Sequence, residues 1–169
     1  MGASLAKIEF SDSNIAKLNA YLDKPKNFLV FCGSPGIGKT YFLAALYPWA
    51  YKKFNSIRVW KENDLYQKLR EQISENKGDY LKELSYMIDD QLVMVDDLGI
   101  SKHNDWREEI LFELIDTRYN STLPTIFTSN LSSKQFKEIY HLRIASRLFA
   151  SESIIVEIPN GEDLRIKGL

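Results

Sequence analysis

The sequence predicts an α/β fold built on a parallel sheet with helices on both faces. Two observations carry this. Short apolar segments of strand length alternate with amphipathic, helix-length segments along the 169 residues, the pattern of strand–helix–strand units. Three of the strand-like segments then end in glycine-rich or polar motifs: "GSPGIGKT" (33–40), "DDLG" (96–99) and "TSN" (128–130). Ligands of open α/β sheets bind at the carboxyl ends of the strands, so the motifs fall where that architecture puts chemistry.

In chain order, "SDSNIAKLNAYL" (11–22) offers N-cap residues followed by Ile15, Leu18 and Leu22 at helical spacing, and "DKPK" (23–26) ends it. "NFLVFCG" (27–33) is apolar, aromatic-rich and closed by glycine, as a buried strand requires. "KTYFLAALYPWAYKKF" (39–54) reads as a helix with Pro48 near its end, and "SIRVWK" (56–61) alternates as a strand. "ENDLYQKLREQISEN" (62–76) places Leu65, Leu69 and Ile73 on one helical face; after Gly78, "DYLKELSYMI" (79–88) is a second helix. "QLVMVDD" (91–97) is a buried strand ending in two carboxylates. "DWREEILFELIDTRY" (105–119) is a helix with Ile110, Leu111, Leu114 and Ile115 on its apolar side. "PTIFTSN" (124–130) is a strand, 132–150 is helical in one piece or two, and "SIIVEI" (153–158) is a last strand.

Composition narrows the function. Hydrophobic residues are 44% and charged residues 27%, a soluble globular balance, and the length suits one domain. No apolar run approaches the roughly 18–20 residues that span a bilayer, so no membrane role is expected. The "MGASLA" start carries Ala6 where a myristoylation signal needs Ser or Thr. The lone Cys32, inside an apolar run, excludes an internal disulfide. A cytoplasmic protein is expected. The net charge of −1 argues against gripping duplex DNA by bulk charge; nucleic-acid contact would need a local patch or many copies of the chain.

"GSPGIGKT" matches G-x-x-x-x-G-K-[ST] between a strand and a helix, the context this phosphate-binding loop requires. Gly33, Ser34, Pro35, Gly36, Ile37, Gly38, Lys39, Thr40 and the adjoining Tyr41 are the expected contacts to ATP or ADP. Glycines let backbone N–H groups face phosphate oxygens, and the following helix adds its positive end. Lys39 would reach the β- and γ-phosphates, and Thr40 would bind Mg²⁺ through its hydroxyl. Asp96 would hold that Mg²⁺ through water. Asp97 is placed to polarise an attacking water, or is a solvated acid at a strand end. Many ATPases carry Glu there; the shorter Asp implies slow hydrolysis. Asn130 either orients water at the γ-phosphate or shapes a turn.

"NFLVFCGSPGIGKTYFLAAL", "LVMVDDLG", "REEILFELIDTRYNSTLPTIFTSNLS" and "RIASRLF" together resemble the ATPase domain of bacterial replicative helicase loaders of the DnaC/DnaI type. These sit in the initiator branch of the AAA+ ATPases, beside the DnaA initiator and the IstB transposition helpers. The resemblance runs from about residue 10 to 167. It implies a three-layer P-loop NTPase of the AAA+/ASCE kind with a five-stranded parallel sheet; one departure is that no helical lid is expected in the eleven residues after Ile158. It makes Lys39 and Thr40 Walker A, Asp96 and Asp97 Walker B, and Asn130 sensor 1. Arg147 matches the arginine finger that acts on a neighbouring subunit's nucleotide, which implies self-association through the Arg147 face, with Arg143 assisting. Arg165 in "GEDLRIKG" would be a second nucleotide-sensing arginine. Residues 62–89 take the place of the extra helices that line a single-stranded DNA path. The partners implied are a replicative helicase and single-stranded DNA. Family loaders also carry an N-terminal helicase-binding domain, whereas 1–169 reads as a single AAA+ domain without one.

The residues themselves offer a DNA contact in "KHNDWR" (102–107), where Trp106 lies among Lys102, His103 and Arg107; an aromatic amid cations can stack on a base. Trp106 also fits as a hydrophobic staple at its helix start. Ile73, Lys68 and Arg70 are further candidates, with a buried Ile and a solvated charged face as the alternative. Arg147 likewise fits a surface ion pair with Glu138 or Glu152. Other functions compatible with the loop are a non-catalytic helicase regulator, a transposition-helper ATPase and a small P-loop kinase. A kinase would need an Arg-rich closing segment, which is not apparent.

Overall fold

Strands covered by helices on both faces have no polar side to show water, and the continuous apolar segments of this sequence occupy that position. The computed structural model describes residues 10–76, 80–99 and 104–158. Its elements run α1 (Asp12–Asp23), β1 (Phe28–Gly33), α2 (Lys39–Lys53), β2 (Ile57–Lys61), α3 (Glu62–Asn76), α4 (Tyr80–Ile88), β3 (Leu92–Leu98), α5 (Asp105–Asn120), β4 (Thr125–Ser129), α6 (Ser133–Ile139), α7 (Leu142–Leu148) and β5 (Ile154–Ile158). The five strands form one sheet in the order β2-β3-β4-β1-β5, with every neighbouring pair parallel. β1 and β4 are buried along their whole length, and the edge strands β2 and β5 only partly.

Alternation along the strands divides the core into two layers. Leu29, Phe31, Leu92, Met94, Ile126 and Val156 pack on α1 and α2, while Phe28, Val30, Val93, Val95 and Phe127 pack on α3, α4, α5, α6 and α7. The helix breaks follow local chemistry. Ser132 and Gln135 form a capping box that starts α6. Tyr140 is extended, and the His141 amide donates to buried Glu108 at 2.9 Å, so 132–150 holds two helices rather than one. α2 continues past Pro48 to Lys53, an exposed proline whose missing N–H interrupts the ladder without ending the helix.

Away from the motif-bearing strand ends, Arg118 is wholly buried. Its guanidinium donates to Thr125 Oγ1 at 2.6 Å, Pro124 O at 2.7 Å, Asp90 O at 2.9 Å and the Ile88 carbonyl. It thereby ties the end of α4, the approach to β3 and the start of β4 to α5. Burial pulls its pKa down to about 10, against the opposing pull of Tyr21, Asp90 and Asp89. Arg118→Leu strips the donor from three carbonyls and a hydroxyl at once. A loss of about 3–4 kcal/mol, or a fall of about 10 °C in Tm, is expected in thermal unfolding; an unchanged Tm would deny Arg118 this bracing role.

Candidate functional site

The loop after β1 turns through Gly36 and Gly38, at φ 83° and 94°, in the left-handed region that glycine enters at little cost. Gly38 caps α2 without a side chain, so the first-turn amides of α2 point toward the loop mouth. Lys39, the first residue of α2, is buried, and its ammonium donates to the Gly33 and Ser34 carbonyls at 2.8 Å each. Ile37 anchors the loop in the α1/α2 layer of the core. Pro35 and Tyr41 are exposed at the rim.

One residue on, Thr40 Oγ1 donates to Asp96 Oδ2 at 2.9 Å. The two candidate metal residues, 56 positions apart in sequence, therefore meet. The other Asp96 oxygen accepts from the Thr128 hydroxyl on β4. A hydroxyl and a carboxylate are hard oxygen donors of the kind Mg²⁺ takes. Among the described residues no three His, Cys, Asp or Glu side chains cluster as a metal cage. One carboxylate beside a phosphate loop suits Mg²⁺, which is commonly bound jointly with substrate phosphates. Asp97 follows at φ 60°, a left-handed conformation costing an Asp about 1–2 kcal/mol. Asn130 is half-buried just past the end of β4, which lies between β3 and β1.

A polar cluster in the other helical layer adjoins Walker B. Buried Glu62, at the β2–α3 junction, accepts from the Gly99 amide at 3.2 Å and from the Tyr66 hydroxyl at 3.1 Å. Burial, and then Glu62, push the Tyr66 phenol well above its usual pKa. Arg107 lies 5.1 Å from the Tyr66 ring, and Trp106 6.0 Å from it. Arg70 stands 4.7 Å over Trp106. Trp106 therefore packs across to α3 and is not a staple: Asn104 caps α5, accepting from the Arg107 amide at 3.0 Å, which leaves Trp106 inside the first turn. Ile73 is half-buried against the same core. Lys102 and Arg165 lie outside the described residues.

Arg147 forms its ion pair with Asp116 on α5, not with Glu138 or Glu152; Glu152 instead accepts from Tyr119 at 3.5 Å. Arg147 also donates to the Arg143 carbonyl at 3.0 Å. Both guanidinium groups lie over Phe112, at 4.2 Å for Arg143 and 5.0 Å for Arg147. With 30% of the Arg147 side chain exposed, a pair of this kind is worth about 0–1 kcal/mol.

Sequence reasoning missed Glu62, Thr128 and Asp116. Thr128 left a signal, since a hydroxyl inside an apolar central strand must find a partner. Glu62 and Asp116 read as ordinary helix-surface acids.

The parallel sheet, the turned loop and the Lys39–Thr40 pair set against a strand-end aspartate define a P-loop nucleotide-binding domain. The chain belongs to the IstB-like ATP binding protein family, which matches residues 5–151. It is 28% identical over 161 residues to the replicative helicase loader DnaI of Bacillus subtilis (strain 168), covering 87% of this chain and 49% of that protein. It is 30% identical over 120 residues to the ATP-binding protein of insertion sequence IS232 from Bacillus thuringiensis subsp. berliner, covering 71% and 46%. The chain thus spans about half the length of these relatives. The crystal structure of the DnaC helicase loader shares the fold, with a TM-score of 0.72 at 23% identity over 91% of this chain and 96% of that one. Lys39→Ala is expected to weaken binding of a fluorescent ATP analogue about 100-fold while leaving circular dichroism unchanged, since a charge-assisted bond to phosphate contributes about 1.5–3 kcal/mol. Unaltered affinity would show that the loop does not hold the triphosphate.

Proposed function

We propose that this chain hydrolyses ATP as a switch acting on a replicative helicase and single-stranded DNA, with each site completed by a second copy of the chain. The meeting of Thr40 and Asp96 beside the phosphate loop is the observation that carries hydrolysis. The loop amides and Lys39 hold the phosphates, and Thr40 and Asp96 hold Mg²⁺. Held by these two residues, Mg²⁺ would supply positive charge to the phosphate oxygens. Asp97 polarises the attacking water and Asn130 orients it. Arg147 of a neighbouring copy leaves its weak pair with Asp116 and supplies positive charge to the transition state, worth roughly 10³–10⁵ in rate in related enzymes.

Turnover per chain should rise with protein concentration or on single-stranded DNA. Arg147→Ala should bind ATP normally and hydrolyse it poorly. Mixed with Lys39→Ala, it should regain activity, because the second variant lends its arginine to the first variant's intact loop. Full turnover by Arg147→Ala alone would sink the shared site.

Helix α3, through Arg70 and Ile73 on the side toward Trp106, is the proposed path for single-stranded DNA, with Lys68 on another side of the helix and Lys102 as further candidates. Trp106→Ala should lower Tm by a few degrees through lost packing on Tyr66 and Arg70. Loss of oligonucleotide affinity in the folded variant, read by fluorescence anisotropy, supports stacking; unchanged affinity confines Trp106 to the core. A transposition-helper ATPase is the second reading, favoured by the 30% identity to the insertion-sequence protein. It uses the same chemistry and differs in partner: co-purification with a replicative helicase supports the first reading, and with a transposase the second.

A further inference from the structure

β3 and β4 do not pair residue for residue at their motif-bearing ends. Val95 stands opposite Phe127 and Leu98 opposite Ser129, with a register shift between. Two residues of β3, Asp96 and Asp97, thus face a single residue of β4, Thr128. This is a β-bulge, and bulges serve to re-aim side chains and to leave one residue outside the ladder. Here the residue with left-handed backbone is Asp97.

The hydroxyl of Thr128 bridges the bulge. It accepts from the Asp97 amide at 3.0 Å and donates to Asp96 Oδ1. Thr128 is wholly buried, and the other Asp96 oxygen is the one that meets Thr40. Its neighbour Ser129 closes the same joint, donating to the Leu98 carbonyl at 2.6 Å and accepting from the Leu131 amide at 3.1 Å.

We infer that Thr128 is a positioning residue for the hydrolytic site: one hydroxyl orients the Asp96 carboxylate toward the metal and holds the bulge that sets the direction of Asp97. The inference rests on the proposed roles of Asp96 and Asp97. It also makes β4 a mechanical link, since the strand ending beside Asn130 also grips both Walker B acids.

Thr128→Val keeps size and shape but removes the hydroxyl, and Thr128→Ser restores it. Two readouts separate positioning from packing. The first is the gain in nucleotide-analogue affinity on adding Mg²⁺, compared with EDTA. The second is kcat and the half-saturating Mg²⁺ concentration. Groups that orient metal ligands typically contribute 10–100-fold to metal affinity or activity. Thr128→Val should therefore lose about tenfold or more in kcat and require several-fold more Mg²⁺, with its affinity in EDTA within about threefold of wild type. Thr128→Ser should behave as wild type. If Thr128→Val does not fold, Thr128→Ala is measured in the same way. Wild-type Mg²⁺ dependence in a folded Val or Ala variant overturns the inference, as does an equal loss in Thr128→Ser. If wild-type protein itself gains nothing from Mg²⁺ and does not hydrolyse ATP, the proposed function fails first, and on separate grounds.

Discussion

The Asp96 carboxylate is the joint on which the site depends. One oxygen meets Thr40 from the phosphate loop and the other meets Thr128 from β4. A single side chain thus locks α2, β3 and β4 together at the carboxyl end of the sheet. The parallel ladder makes this possible: β4 is paired to both β3 and β1, so motifs distant in sequence arrive at one edge. The cost is local strain, a left-handed aspartate beside a bulge, which persists because the surrounding hydrogen bonds over-determine it.

α5 connects that joint to the rest of the molecule. Its residues Glu108, Phe112 and Asp116 recur every fourth position and so share one face. Glu108 holds the α6–α7 break through the His141 amide, Phe112 lies under Arg143 and Arg147, and Asp116 pairs with Arg147. At one end Trp106 and Arg107 reach α3; toward the other, Arg118 braces the far side of the sheet. The helix that positions the proposed finger therefore also touches the proposed DNA face. α3 in turn meets Walker B through Glu62 and the Gly99 amide. These contacts, part hydrogen-bonded and ionic and part aromatic, tie α5 and α3 to both regions.

The chemistry tolerates this arrangement because three of its buried charged side chains are met by hydrogen bonds. Glu62, Glu108 and Arg118 would each be costly in an apolar core, yet each is met by amides, hydroxyls or carbonyls. Arg147 differs in being partly exposed, held by its pair with Asp116, a hydrogen bond to the Arg143 carbonyl and the Phe112 ring.

Much was legible in the sequence. Among the described residues, the five strands, the helices apart from the break at 139–142, and the loop–Walker B–"TSN" ends follow from periodicity, glycine placement and carboxylates at strand ends, all local in the chain, whereas whether 132–150 was one helix or two stayed open. The partner of each polar side chain was not legible. Arg147 pairs with Asp116 and not with a nearer acid, Trp106 packs on α3 and not on its own helix, and Thr128 serves two aspartates. Periodicity says which face a residue shares, but the register of one strand against the next and the docking of one helix on another decide what it meets. A one-residue bulge between β3 and β4 redirects Asp96 and Asp97 together, and the amino-acid order alone carries no mark of it, because the bulge exists only when the two strands pair.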